Sequence, residues 1–196
     1  MRPVALRSSA GRVRVIGVVP DQIVTEALVE EPTIRDGKVV ADAERDLAKI
    51  AVVERHLGTG RIGLGLVRGF GLRDGALAST IAHDAHNIVA VGMNDNDLQH
   101  AVARLVELGG GIVVVSGGEV RAELPLPVAG LLSDRPLAEV VAASRACVEA
   151  ARGLGCTLPS PFQSLAFLAL SVIPSLKITD HGLVDVDAFE LVPLEV

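Results

Sequence analysis

The sequence predicts an α+β (mixed α/β) fold in a single compact domain, and three observations carry that expectation. Strand-length, β-branched apolar runs separated by Gly- and Asp-rich turns fill the first half as a β-meander. The apolar period then lengthens from two to about 3.6 after residue 93, and a glycine-turned hairpin lies between two amphipathic helices in the second half. A chain of 196 residues is long enough to bury a core of its own. Residues 1–11 read as an N-terminal extension and 12–196 as the domain.

"RVRVIGVV" (12–19) alternates, is rich in β-branched residues and stops at Pro20, so a strand is expected there; "QIVTEALVE" (22–30) is a second extended stretch. Asp36-Gly37, inside "IRDGKVVADAERD" (34–46), places a surface hairpin. Three more strand-like runs follow, "LAKIAVVER" (47–55), "RIGLGLVRGF" (61–70) and "GALASTIA" (75–82), with short turns that predict antiparallel pairing. Past "NIVAVG", the residues Leu98, Ala101, Val102, Leu105 and Val106 fall on one helical face. Asn94 caps that helix, Asp95 and Asp97 suit the positive end of its dipole, and Gly109 ends it. "GGIVVVSGGEVRAELPL" (110–126) turns back through Ser-Gly-Gly, and "DRPLAEVVAASRACVEAARGLG" (134–155) is a second amphipathic helix with Pro136 near its start and Gly153 near its end. "SPFQSLAFLALSVIP" (160–174) reads as a short buried helix closed by Pro174, and "HGLVDV" as a last small strand.

The residues AVILMFWYC make up 49% and 20 glycines add to them, above the usual soluble share of about 45–50%. Mean hydropathy is +0.46. No window reaches the roughly 18 uninterrupted apolar residues of a membrane helix, so no membrane role is expected and the surplus belongs in a core or against a partner. "MRPVALRSSAGRVRVIGVV" lacks an apolar segment followed by a small-residue cleavage site, which makes the cytoplasm the expected location. Cys147 and Cys156 read as free thiols of a reducing compartment. A net charge of −6, with neither Trp nor Tyr, argues against nucleic acid, since the chain offers neither surplus cations for phosphates nor a stacking platform for bases.

"AHDAHNIVAVG" (82–92) crowds His83, Asp84, His86 and Asn87 between two apolar runs. Imidazole and carboxylate are the ligands and proton carriers that hydrolytic chemistry near neutral pH needs. An extended strand would turn His83 and His86 to opposite faces, whereas a tight turn could bring them together. A turn whose Asp and Asn satisfy backbone amides accounts for the same residues, and both readings stand at this point. The glycines of "GLGLVRGFGLRDG" (63–75) precede strands rather than a helix, so they are no dinucleotide fingerprint. "NDNDLQH" (94–100) lacks the glycine and the glutamate of a calcium loop. His56, His100 and His181 read as solvated surface, and GxSxG, Walker A and HExxH motifs are missing.

The string "GFGLRDGALASTIAHDAHNIVAVGMNDNDLQHAVARLVELGGGIVVV" resembles the C-terminal domain of bacterial adenine deaminases, of the amidohydrolase superfamily. The likeness continues through "ELPLPVAGLLSD", "LGCTLPSPFQSLAFLALSVIPSLKITDHGLVDV", "VRVIGVVPDQIVTE" and "ERDLAKIAVVERHLGTGRIGLGLV", from about Arg12 onward. It implies hydrolytic deamination of adenine to hypoxanthine and ammonia, with a divalent metal (manganese, iron or zinc) activating water. It also implies that the metal ligands lie mostly in a preceding (β/α)8-type barrel that opens with an HxH pair. This sequence has no HxH and cannot hold a barrel of about 250 residues beside its own domain, so no metal ligand is assignable in it.

The family's AHD-x-HN segment falls on Ala82 to Asn87, which makes His83, Asp84 and His86 catalytic candidates and Asn87 a substrate contact. Phe70 in "GFG" (69–71) and Phe162 in "PSPF" (159–162) are second-rank substrate contacts. The implied partner is the barrel, as domain or subunit, with adenine as small-molecule substrate; a homodimer is compatible with the sequence. Three functional readings remain. The chain is a portion of an adenine deaminase completed by a barrel in cis or trans, a stand-alone purine-binding, regulatory or dimerisation module, or a small metal-dependent hydrolase on His83, Asp84 and His86. The last lacks the third protein ligand such sites usually have.

Overall fold

The computed structural model describes residues 11–196, so the expected extension lies outside the described residues apart from Gly11. In chain order the elements are β1 (Val13–Val18), β2 (Thr25–Glu30), β3 (Thr33–Arg35), β4 (Lys38–Val40), β5 (Leu47–Val53), β6 (Ile62–Arg68), β7 (Ala76–Ser79) and β8 (Ile88–Gly92). Then follow α1 (Asp95–Leu108), β9 (Gly111–Ser116), β10 (Glu119–Pro125), α2 (Leu137–Gly153), α3 (Pro161–Leu168), β11 (Leu176–Thr179), β12 (Gly182–Asp185) and β13 (Glu190–Val192).

Because successive strand side chains point to opposite faces, an apolar run with no polar alternation must be covered on both sides. β8 and β9 are such runs. Val89, Val91, Ile112 and Val114 enter one apolar cluster with Cys147, Leu165 and Ile178, while Ile88, Ala90, Val113 and Val115 enter another with Leu98, Ala101 and Leu105. The main sheet is thus a middle layer. α1 covers β7, β8 and β9 on one face; α2, α3 and the small sheet β11-β12-β13 cover the other.

The strand order is β10-β9-β7-β8-β5-β6-β1-β2. β5 and β6 pair antiparallel as the sequence predicts, but β7 leaves β6 to pair with β8 and β9, and β5 takes β8 as its second neighbour. Two-sided burial explains the crossover, since the fully apolar strands occupy the middle of the sheet and the half-polar β2 and β10 its edges. β1 lies parallel to β6, Ile16 opposite Val67. β1 also receives the chain's last residues: Val13 faces Glu195, the Arg14 amide donates to Leu194 O (2.8 Å), and its guanidinium to the carbonyls of Pro193 (2.9 Å) and Glu195 (2.7 Å).

Asn94 caps α1 by accepting from the Asp97 amide at 2.8 Å, and Gly109 ends it in the left-handed conformation (φ 74°). Val106 departs from expectation: it is 65% exposed, standing about 100° round the helix from Leu105 and off the buried stripe. α3 stops at Leu168 rather than near Pro174; the residues after it form turns, and Pro174 and Ser175 exchange backbone hydrogen bonds with Thr25. β11 was not legible beforehand. Lys177 interrupts its apolar run, yet that side chain is itself buried.

Candidate functional site

Residues 82–87 join β7 to β8 at the end of the sheet where α3 and the β11–β12 turn meet it. The His86 amide donates to Ala82 O (2.7 Å) and closes the loop, and the His86 ring Nδ1 accepts from the Ala82 amide at 3.4 Å. His86 has a φ of 49°, a region that few residues other than glycine adopt, and its backbone is held from several directions. Arg55 secures it from outside, donating Nε to His86 O and Nη2 to Ala129 O, each at 2.6 Å. Gly130 leaves room for that approach, since a Cβ there would stand 2.6 Å from the guanidinium and displace it. His56 Nε2 lies 2.7 Å from Ala85 O, so a residue read as plain surface also braces the loop.

The loop resolves the question of convergence. The His83 and His86 ring centroids are 6.0 Å apart, tilted by 57°. His83 packs on Phe167, with ring centroids 4.9 Å apart, and donates its amide to Ala166 O at 3.2 Å. Asp84, His86 and Asn87 line a cleft of about 240 Å³ whose opposite wall is Thr179, Asp180 and His181, with Ala169, Leu170 and Ser171 at one end. Burial, the neighbouring His83 and the charge of Arg55 together push the His86 imidazole below its ordinary pKa. With Nδ1 accepting, the neutral ring carries its proton on Nε2. Asn87 is buried; its Oδ1 accepts from the Arg55 amide (3.4 Å) and its Nδ2 donates to Asp180 (3.2 Å). Asp180 also accepts from Arg61 Nε at 2.7 Å.

Asp84, His86 and Asn87 are therefore brought to one cleft, whereas His83 does not line it and packs on Phe167 of α3 instead. Phe70 lies wholly in the core and Phe162 packs against that core; neither lines the cleft. Sequence reading missed Asp180, which reaches Asn87 from 93 positions away, and Arg55, 31 positions from His86; His181 lines the cleft and is exposed, as expected. The polar string "TDHG" beside an apolar run was the one visible signal of Asp180.

A family model described as the adenine deaminase C-terminal domain matches residues 22–190. The chain belongs to this family. Adenine deaminases of Oleidesulfovibrio alaskensis, Methanothrix thermoacetophila and Brucella abortus are 55%, 52% and 52% identical to it over 94%, 93% and 95% of its length. It covers 32% of each, so this adenine deaminase C-terminal domain spans about a third of the length of the curated relatives it matches.

The divalent metal expected from the resemblance does not fit this part of the molecule. Among the described residues no group of three or more His, Cys, Asp or Glu is placed to hold a metal ion. In the cleft, His86 Nδ1 is occupied and both Asp180 oxygens already accept hydrogen bonds. No helix of the described residues is long and apolar enough to cross a membrane.

Proposed function

We propose that residues 12–196 form the C-terminal portion of an adenine deaminase, which converts adenine to hypoxanthine and ammonia once a metal-bearing amidohydrolase barrel completes it in cis or in trans. The observation that carries the reading is the pairing of family membership with the cleft that Asp84, His86 and Asn87 line, on a loop braced by Arg55 and His56 but without a metal-ligand set. The divalent metal belongs to the barrel. In the assembled enzyme the 83–87 loop faces the barrel's active site, His86 offers Nε2–H as a donor, Asp84 offers a carboxylate, and Asn87 ties the end of the loop to the Arg55 amide and to Asp180. The setting is the cytoplasm, with which the two buried, unpaired thiols Cys147 and Cys156 agree.

The test is ammonia release from adenine. The isolated chain with manganese, iron or zinc should give none, whereas fusing it to the N-terminal two-thirds of the Brucella relative should give turnover. In that fusion, His83→Ala combined with His86→Ala should lower turnover on the order of 10- to 100-fold, as removal of groups that support a reacting centre does. Unchanged turnover and metal content would remove the loop from the reaction, and turnover by the isolated chain would overturn the need for a barrel.

A further inference from the structure

Lys177 is fully buried on β11, and among the described residues no carboxylate pairs with it. Its Nζ donates to Ile23 O at 2.8 Å and to Phe167 O at 3.1 Å. An ammonium buried against neutral carbonyls alone is expensive, and the cavity it fills would take a methionine more cheaply. The two carbonyls show what the amine does. Ile23 belongs to the segment leading into β2, and Phe167 to the last turn of α3, where carbonyls lack helical partners and the helix dipole is negative. One side chain thereby ties three chain segments together.

That same turn of α3 is the seat of His83, whose amide donates to Ala166 O and whose ring packs on Phe167. We infer that Lys177 is a positioning residue: by holding the Phe167 carbonyl, it fixes the turn of α3 on which the His83 imidazole packs, behind the loop that lines the cleft. Burial pushes the amine down to about 8, so it is held where losing its charge is easy while its N–H donors remain. The inference rests on the proposed function only in giving His83 a purpose; the placement of His83 is measurable without any turnover.

The experiment is nuclear magnetic resonance on the isotope-labelled chain of 196 residues. Lys177→Met should abolish the cross-peaks between the His83 and Phe167 rings and displace the His83 ring signals, with the remaining spectrum folded. Lys49→Met removes the other buried lysine, which pairs with Asp95 at 2.6 Å on the opposite face, and should leave those cross-peaks intact. Unchanged His83 cross-peaks in folded Lys177→Met overturn the inference. If Lys177→Met does not fold, Lys177→Gln is read in the same way, and loss of the fold in both variants also overturns it by assigning Lys177 to the whole core. A displaced His83 in a barrel fusion of undiminished turnover upholds the positioning and counts against the proposed role of His83.

Discussion

The carboxylate of Glu54 accepts from four donors in the turn after β5: the amides of Leu57 (2.6 Å), Thr59 (2.9 Å) and His56 (2.5 Å) and the Thr59 hydroxyl (2.8 Å). These bonds, that from Leu57 foremost, hold its pKa down to about 2 from an ordinary 4.5. In the acid range the unfolded chain takes up this proton first, so the stabilisation is complete above pH 4.5 and is lost as pH falls from 4.5 through about 2. Urea unfolding of the wild type and Glu54→Gln should therefore show a stability difference that shrinks across that window; a difference constant from pH 7 to pH 2 would refute the assignment. Glu54 matters because the turn it builds carries Arg55 and His56 to the 83–87 loop. At this scale the sequence was legible where chemistry is local, as in His83-Asp84-x-His86. It was silent on Glu54, Arg55 and Asp180, whose partners are supplied by the fold.

Among the elements, the contact between β6 and the β11–β12 turn is the tightest backbone approach near the site. A Cβ on Gly63 would lie 1.9 Å from Thr179 O and 3.0 Å from the Gly182 amide. Gly63→Ala should push the turn bearing Asp180 and His181 outward and destabilise the fold by about 1–3 kcal/mol, the usual range for overpacking. Gly153→Ala, with nothing within 4 Å at the end of α2, serves as the control and should be neutral or mildly stabilising. Equal stability for Gly63→Ala and wild type by urea titration would disprove the close approach. The strands and helices with strong periodicity were readable, and so was the capping of α1. β11 was not, because a lysine in an apolar run signals exposure unless a buried site supplies its hydrogen bonds, as the carbonyls of Ile23 and Phe167 do.

For the whole molecule, the sequence carried the fold class and the apolar surplus, but the order of strands depended on which runs are covered twice, a property of the assembled layers. If the cleft faces a barrel, hydrogen exchange should report it: the amides of 83–87, 169–171 and 179–181 should slow when the chain joins the N-terminal two-thirds of a relative, while those of α1 stay as they are. Slowing confined to α1 would put the partner on the opposite face. The contact of β1 with residues 193–195 bears on how the chain is made. Arg14 and Glu195 are 181 positions apart, and at the usual 5–20 residues per second a ribosome separates them by on the order of 10 to 40 s. During that interval Arg14 and the start of β1 wait without the segment that finally covers them, so this is the stretch a chaperone has most time to meet.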